Sequence, residues 1–457
     1  MEQKDTNLKL TFCGGTGVVT GANFLLEGNG KKFLIDCGLE QGTLSADQNN
    51  WDAFPYDPKE IDILFITHSH IDHIGLIPKL IHEGFQGRIV STIPTKDLTE
   101  AMLEDTDHLL SHDVLHHLDI IYITENTKKA MEVWDVLDYH QVLNVDHGFQ
   151  FSYKDSGHIL GSGMLEVVYN GKKIVFTGDL GNSPSPLLCD TEKITDADYM
   201  IMESVYGDRN HEDRDVRSER LKQIILKNYN NGGVLMIPSF SLERTQELLF
   251  ELDIFIEKRE IPVMPIYLDS PLAITLTKIY KKYEKYLNAN VKKIIFSGDD
   301  IFNFPGLKVT PDTIDSKAIL HTPNPKIIIA GSGMSNGGRI IHHEKNYLPD
   351  SRNTLLLIGY QAFGTMGRAI EEGNKTIRIQ GMDVKVGAHI EKITGYSGHK
   401  DSDHLVEFVA DTAKTLKKVF VVMGEPKSSM FLAQKLKDNL GVNALTPAAG
   451  DSVILEC

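Results

Sequence analysis

The sequence contains little cysteine and no long apolar run. Its four cysteines, in a chain of 457 residues, are far apart and form no Cys-x-x-Cys pair, which argues against a thiolate zinc site. No stretch of about 18 apolar residues occurs, as a membrane-spanning helix would need. The charged start, Met1-Glu2-Gln3-Lys4-Asp5, lacks the apolar segment of a secretory signal. We therefore expect a reduced, cytoplasmic protein with no membrane partner.

Positive charge is also scarce. The chain has 47 Lys and Arg residues against 63 Asp and Glu residues, which gives a net charge of −16. Because affinity for phosphates comes from Lys and Arg, this balance argues against a general nucleic-acid binder. It does not exclude one, since bound divalent metal offsets acidic charge and a basic groove can lie within an acidic total. The length predicts two or three domains.

The strongest signal is a cluster of metal-ligand side chains directly after an apolar strand. Residues 61–66 read as a buried strand, and His68-Ser69-His70-Ile71-Asp72-His73 follows it. In an extended segment His68 and His70 point to the same side. Asp72 and His73 are adjacent, so they face a different point. This layout is typical of a site for two metal ions, which lie roughly 3.5–4 Å apart and have separate ligands.

Two further donors complete this predicted site. His158 lies in a Ser-Gly-His segment. Asp179 lies in Gly178-Asp179-Leu180-Gly181, directly after the expected strand at 173–177. We expect His68, His70 and His158 to hold one ion, Asp72 and His73 to hold the second, and Asp179 to bridge them. Asp36, at the end of another strand, is either a simple turn residue or the carboxylate that orients a ligand imidazole.

The middle of the chain alternates strands and helices, which predicts a mainly parallel sheet with covering helices. The expected strands are 234–238, 261–268, 326–330 and 354–359. We read this α/β segment as a domain inserted into the first. The predicted domains are 1–207 and 386–457 for the interrupted first domain and 208–385 for the insert.

These motifs together resemble the β-CASP group of metallo-β-lactamase fold nucleases. The family motifs correspond to Asp36, the cluster from His68 to His73, His158 and Asp179. Its acidic motif corresponds to Glu203 in Glu-Ser-Val-Tyr-Gly-Asp-Arg, and its next histidine to His399 in Tyr-Ser-Gly-His. Gly331-Ser332-Gly333-Met334 in the insert is also similar to the family. The resemblance implies an α/β protein, a metallo-β-lactamase αββα sandwich with an inserted β-CASP domain.

The resemblance further implies a metal-dependent ribonuclease. A hydroxide activated by two zinc ions, with manganese as the alternative, would attack a backbone phosphorus of single-stranded RNA held between the two domains. His399 would protonate the leaving oxygen, Glu203 would hold its ring, and Asp72 would belong to both the catalytic and the metal set. Residues expected to contact the nucleic acid are Ser332, Gly333, Arg339 and Ser397.

One position departs from the family pattern. Where the RNA-processing members have a histidine before Gly-Glu, this chain has Met423. A thioether is a poor zinc ligand, so we expect the second metal site to be weaker or differently loaded. The DNA-processing branch of the family also lacks this histidine and carries an apolar residue there, so a β-CASP nuclease acting on DNA is one alternative. A catalytically impaired nucleic-acid-binding homologue is the other. The sequence leaves open endonucleolytic or exonucleolytic cleavage and the formation of a homodimer.

Overall fold

The computed structural model describes residues 7–41, 50–110, 120–212, 214–359, 361–362 and 364–457. The chain divides into two compact units. The first comprises Met1–Asn210 and His399–Cys457, and the second comprises His211–Gly398. None of the helices in the described ranges has the length and apolarity needed to cross a lipid bilayer.

The first unit contains two seven-stranded sheets. One is formed by β1 (Leu8–Phe12), β2 (Phe24–Gly28), β3 (Lys31–Ile35), β4 (Ile63–Phe65), β5 (Arg88–Ser91), β6 (Trp134–Val136) and β22 (Ser452–Leu455), in the order β22-β1-β2-β3-β4-β5-β6. The other is formed by β7 (Leu143–Val145), β8 (Phe149–Asp155), β9 (Gly163–Tyr169), β10 (Lys172–Phe176), β11 (Tyr199–Met202), β20 (Lys418–Val421) and β21 (Ala444–Leu445), in the order β21-β20-β11-β10-β9-β8-β7.

Helices cover the outer face of each sheet, and an aromatic core fills the space between the sheets. That core includes Phe12, Phe33, Phe65, Phe149, Phe151 and Phe176. The first sheet packs against residues of α1 (Ile71–Ile74), α2 (Ile77–His82), α3 (Ile93–Leu110) and α4 (Ile120–Glu132). The second packs against α12 (Ser402–Ala410) and α13 (Pro426–Leu440). The four layers confirm the expected αββα sandwich.

The second unit is built on one parallel sheet. Its strands are β12 (Val234–Pro238), β13 (Ile266–Leu268), β14 (Leu307–Val309), β15 (Lys326–Ala330), β16 (Thr354–Ile358) and β19 (His389–Ile393), in the order β14-β13-β15-β12-β16-β19. Its helices are α5 (Arg214–Asn230), α6 (Arg244–Glu257), α7 (Pro271–Lys282), α8 (Ala289–Phe296), α9 (Thr313–Ala318), α10 (Ile340–Tyr347) and α11 (Met366–Glu371). A hairpin of β17 (Thr376–Ile379) and β18 (Met382–Lys385) completes the unit.

The point where the chain re-enters the first unit differs from the sequence expectation. Strand β19 pairs in parallel with β16 and therefore belongs to the sheet of the second unit. The first unit resumes at His399 and not at residue 386. A buried parallel strand has the same apolar character in either sheet, so its sequence alone does not reveal which sheet contains it.

Candidate metal centre and catalytic site

The candidate site lies where parallel strands of the first unit end. Asp36 follows β3, Thr67 and His68 follow β4, Asp179 follows β10 and Glu203 follows β11. β3 and β4 are parallel neighbours, and β10 and β11 are parallel neighbours in the other sheet. The carboxyl ends of neighbouring parallel strands lie side by side, so each sheet collects polar side chains that are far apart in the sequence. The contacts of His68 and His73 with Asp179 join the two groups.

Two close backbone approaches fix the loops that carry the donors. A Cβ on Gly38 would lie 1.6 Å from the carbonyl oxygen of Asp72, so only glycine lets the segment after β3 meet α1. A Cβ on Gly181 would lie 1.9 Å from the carbonyl oxygen of Gly157, so the Asp179 loop lies against the His158 loop. Both glycines are required for close contact between segments that carry donors.

Four predicted ligands converge on one point. His70 Nδ1 lies 3.1 Å from His68 Nε2 and 3.1 Å from His158 Nε2. Asp179 Oδ2 lies 3.4 Å from each of those two Nε2 atoms. One donor atom from each of the four residues lies within 4.8 Å of all the others. The structure therefore brings together three imidazoles and one carboxylate with the spacing of a metal ligand set.

The second predicted ligand pair lies on the other side of Asp179. His73 Nε2 is 3.5 Å from Asp179 Oδ1 and 3.8 Å from Asp72 Oδ2. The two oxygens of Asp179 thus face different groups of donors, which is the arrangement of a bridging carboxylate. Asp36 Oδ2 lies 2.7 Å from His73 Nδ1, and this carboxylate holds the ring in place.

The donor atoms of His73 and Asp179 face each other across a position that suits a divalent cation. Asp36 accepts a hydrogen bond from Nδ1 of His73, and the opposite ring nitrogen, Nε2, faces Asp179 Oδ1. Both of these facing atoms are buried and have no hydrogen-bond partner. Burial opposes a charge on His73, but Asp179 and Asp36 outweigh burial and raise the pKa of His73 well above its usual value, so without metal a proton is held where a cation would bind. The His and Asp residues of this centre therefore fit the divalent metal that the fold family implies.

The electrostatics favour the metal-binding form of His70, His158 and Asp179. Burial, reinforced by the neighbouring His68 ring, lowers the pKa of His70 well below its usual value. Burial and the neighbouring His399 do the same to the pKa of His158. These rings are therefore neutral at physiological pH, which is the form that binds metal. Burial disfavours the charge of Asp179, but His73 and His68 outweigh it and hold its pKa well below the usual range.

His399 and Glu203 form a pair beside this cluster. His399 Nδ1 is 3.1 Å from Glu203 Oε1 and 3.8 Å from Asp179 Oδ2, and its ring lies 4.7 Å from that of His158 between centroids. Glu203 is fully buried, and its Oε1 also accepts a hydrogen bond of 2.6 Å from the backbone N–H of Leu180. The carboxylate is thus fixed, and it fixes the imidazole in turn.

Met423 does not add a donor to the centre. Its side chain is buried in the aromatic core, and a Cβ on Gly15 would lie 2.6 Å from its Sδ atom. The backbone of Met423 has a φ of 48°, and its N–H bonds the Gly15 carbonyl at 2.7 Å. A small cavity between the sheets is lined by Met423, Asp36 and His73. The methionine therefore lies near the His73 side of the centre and packs with apolar groups.

The four residues expected to contact nucleic acid belong to the second unit. The Arg339 guanidinium bonds Asp269 at 2.8 Å and the backbone carbonyls of Thr310 and Pro311. Ser332 Oγ accepts a hydrogen bond from the Asn336 N–H, and a Cβ on Gly333 would contact the Phe240 ring. Arg339 thus forms an ion pair with Asp269, and a role of Ser332, Gly333, Arg339 and Ser397 in nucleic-acid binding stays a prediction.

The sequence reasoning missed two residues that position the centre. The Thr67 hydroxyl bonds Asp36 Oδ2 at 2.8 Å and lies 3.1 Å from His68 Nδ1. Lys400 is buried, and its Nζ bonds the carbonyl of Gly181 at 2.9 Å while its N–H bonds the carbonyl of Leu180. A hydroxyl directly before a ligand histidine was a detectable signal for Thr67, whereas nothing in the sequence pointed to Lys400.

Comparison with known proteins places this geometry in a family. Three family models match the chain: the Metallo-beta-lactamase superfamily over residues 16–228, the Beta-Casp domain over 245–370, and the Zn-dependent metallo-hydrolase RNA specificity domain over 383–447. Together they cover most of the chain; the first contains Asp36, the His68–His73 cluster, His158 and Asp179, and the second lies within the inserted unit.

Two curated relatives are similar over nearly the whole chain. Ribonuclease TTHA0252 of Thermus thermophilus is 34% identical over 94% of this chain and 96% of its own length. Transcription termination factor FttA of Methanosarcina mazei is 31% identical over 96% of this chain and 70% of its own length. A crystal structure of a protein of unknown function from Enterococcus faecalis V583 covers 98% of this chain and 100% of its own, with a TM-score of 0.56 and 11% identity. That likeness shows a shared fold.

Proposed function

Because this chain belongs to the β-CASP group of metallo-β-lactamase fold nucleases, we propose that it is a metal-dependent ribonuclease that hydrolyses phosphodiester bonds of RNA. The observation that carries the proposal is the convergence of His68, His70, His158 and Asp179 beside the His399–Glu203 pair. The RNA specificity domain matched at residues 383–447 and the ribonuclease from Thermus thermophilus support RNA as the substrate. The four free cysteines support a reducing, cytoplasmic location.

We propose two zinc ions as the cofactors of the hydrolase. His68, His70, His158 and Asp179 would hold one, and Asp72, His73 and Asp179 would hold the other, since their donors point to opposite oxygens of Asp179. Bound divalent metal lowers the pKa of water and neutralises charge on phosphoryl oxygens. With Met423 in the apolar core, the second set has three protein donors, so we expect weaker or different loading there, manganese included.

His399 is the proposed general acid. Its Nδ1 lies 3.1 Å from Glu203 Oε1, and a carboxylate on one ring nitrogen keeps the other oriented toward the substrate side. Protonation of the leaving oxygen is the step that this ring would serve. Glu203, anchored by the Leu180 N–H, is a positioning residue for the ring. DNA is the alternative substrate, and the observation that favours it is the apolar Met423.

The deciding experiment is cleavage of a single-stranded RNA labelled at either end, beside DNA of the same sequence, with zinc or with manganese. We expect RNA cleavage that is lost in His70→Ala. In His399→Ala we expect a rate about 10²–10⁴-fold lower with unchanged metal content. The product ladder from each label separates internal from end-first attack.

Cleavage of DNA alone would move the protein to the DNA-processing members of the family. Binding of RNA without cleavage under either metal would favour a catalytically impaired homologue. RNA cleavage that persists in His70→Ala would show that the proposed centre is not the source of the activity.

A further inference from the structure

A second group of side chains of metal-ligand type lies in the other compact unit and shares no residue with the proposed nuclease centre. Asp253 and Glu257 are four residues apart on α6 and so share one face of the helix. Asp299 is in the segment that follows α8. One carboxylate oxygen from each of the three residues lies within 4.8 Å of the other two. Three acidic groups therefore meet where a helix end faces a loop.

The buried member of this group has an oxygen without a partner. Asp253 is only 2% exposed, its Oδ1 atom has no hydrogen-bond partner, and its carboxylate faces the other two. Among the described residues, none of the three carboxylates forms an ion pair. The nearby Lys281 instead pairs with Asp300 at 2.7 Å. The polypeptide thus places a buried carboxylate against two others and supplies no cation to it.

This arrangement is electrostatically unfavourable unless something neutralises it. Burial, with added repulsion from Asp299, Glu257 and Asp300, raises the pKa of Asp253 to about 7. A proton on Asp253 would relieve this repulsion but would leave the buried Oδ1 atom without a partner in the described structure. The oxygen spacing instead suits a central ion, because ligand bonds of about 2.3–2.6 Å place the oxygens of a hard cation up to roughly 5 Å apart.

We propose that Asp253, Glu257 and Asp299 form a binding site for a hard divalent cation, Ca²⁺ or Mg²⁺, which joins the C-terminal end of α6 to the loop after α8. Carboxylate oxygens are the ligands that these ions prefer, and softer metals would favour the histidine centre of the first unit. A cavity of about 100 Å³ beside Asp299 has space for the water molecules that would complete the coordination shell.

The test is thermal unfolding of the full-length protein, with zinc bound in the first unit, as Ca²⁺ or Mg²⁺ is titrated to millimolar concentration. We expect Tm to rise by several degrees with the preferred ion, because the ion binds the folded state alone. In Asp253→Asn we expect a higher Tm than wild type without the ion, since a buried charge is removed, and no further rise when the ion is added.

Three more variants make the test specific. Asp299→Asn, in a partly exposed loop, should also lose the response, which keeps the test decisive if Asp253→Asn does not fold. Asp383→Asn makes the same chemical change at an exposed residue of the β17–β18 hairpin and should respond like wild type. His70→Ala should keep the response, because the proposed ion does not bind at the histidine centre.

Absence of any Tm response to both ions in wild type would overturn the proposal. So would an equal response in wild type, Asp253→Asn and Asp299→Asn. Because the readout is stability and not RNA cleavage, failure here is distinguishable from failure of the proposed ribonuclease activity.

Discussion

At the scale of single residues, Asp36 holds the His73 ring of the proposed metal centre without being one of the proposed ligands. It is buried with a φ of 58°, and its two oxygens accept hydrogen bonds from the Thr67 N–H, the Thr67 hydroxyl and His73 Nδ1. An asparagine would replace one acceptor by a donor that faces other donors. For Asp36→Asn we expect metal affinity to fall about 10–100-fold and stability to fall by about 1–3 kcal/mol.

Competition with a coloured chelator measures this affinity, and urea unfolding measures the stability. Asp62→Asn is the matched control, because Asp62 also accepts a backbone N–H and a side-chain donor, from Lys32 and Lys31, but does not contact a ligand. It should leave metal affinity unchanged. If Asp36→Asn binds zinc as tightly as wild type, Asp36 does not contribute to metal binding.

Met423 makes a second residue-scale prediction. Its φ of 48° is a conformation that histidine tolerates better than most residues, so Met423→His should fold with the same backbone. We expect the variant to retain more metal per chain after dialysis against a weak chelator, at a cost of about 1–3 kcal/mol for the lost core packing. Metal analysis of Met423→His beside Met423→Leu, which should match wild type, provides the measurement. Two tightly held zinc ions in wild type would contradict this account.

At the scale of secondary-structure elements, Asp269 connects four of them in the second unit. From the end of β13 it accepts hydrogen bonds from Thr310 after β14, Ser316 in α9, Arg339 before α10 and His343 in α10. Burial opposes its charge, but these donors outweigh burial and lower the pKa of Asp269 to about 2. The carboxylate therefore stabilises the fold above its unfolded pKa of about 3.8, and this stability is lost as pH falls toward 2.

For Asp269→Asn we expect a loss of about 3 kcal/mol at neutral pH, because the Arg339 guanidinium loses its buried counter-charge. The difference between variant and wild type should shrink as pH falls from about 4 to about 2. Urea unfolding across this range measures both effects. Asp350→Asn is the control, since its partner Arg352 is exposed, and it should match wild type. A constant difference at all pH values would show that the charge of Asp269 is not the cause.

The elements also show how far the sequence could predict this molecule. Strands at 234–238 and 326–330 were predicted with the observed bounds because buried parallel strands are continuous apolar runs. That His68, His70 and Asp179 lie close together could be predicted, because each side chain is a metal-ligand type that comes soon after an apolar strand; their role as ligands stays a prediction. The sheet that contains β19 and the ion pair of Arg339 could not, because both depend on contacts between distant segments.

The acidic group of Asp253, Glu257 and Asp299 in the second unit could not be predicted from the sequence either. Asp253 lies in a helix that is buried on most sides, and Asp299 follows 46 residues later in the segment after α8, so neither has the local spacing of a ligand motif. Only burial of Asp253 and its missing partner distinguish it from a solvated charge. Sequence patterns therefore reveal sites whose ligands are close in the chain, and structure is needed for sites that tertiary packing assembles.

At the scale of the whole molecule, each of the two compact units has its own apolar core and its own group of ligand side chains. Part of the net charge of −16 is therefore concentrated at the two places where cations would bind, and bound cations would offset it there. A bound ion stabilises the folded conformation that forms its site. Because local unfolding depends on local contacts, the loss of an ion should affect mainly the segments near it. Removal of metal should thus loosen each unit near its own site and leave the sheets intact.

Hydrogen exchange after treatment with a strong chelator tests this expectation. Residues 67–75, 156–162 and 177–181 should lose protection because their donors would then repel, as should residues 253–257 and 297–304 in the second unit. Adding zinc should restore the first group of segments, and adding Ca²⁺ or Mg²⁺ should restore the second. Recovery of all segments with zinc alone would mean that the acidic group depends on the histidine centre. Full protection after chelation would mean that hydrogen bonds such as Asp36–His73 hold the empty centre closed.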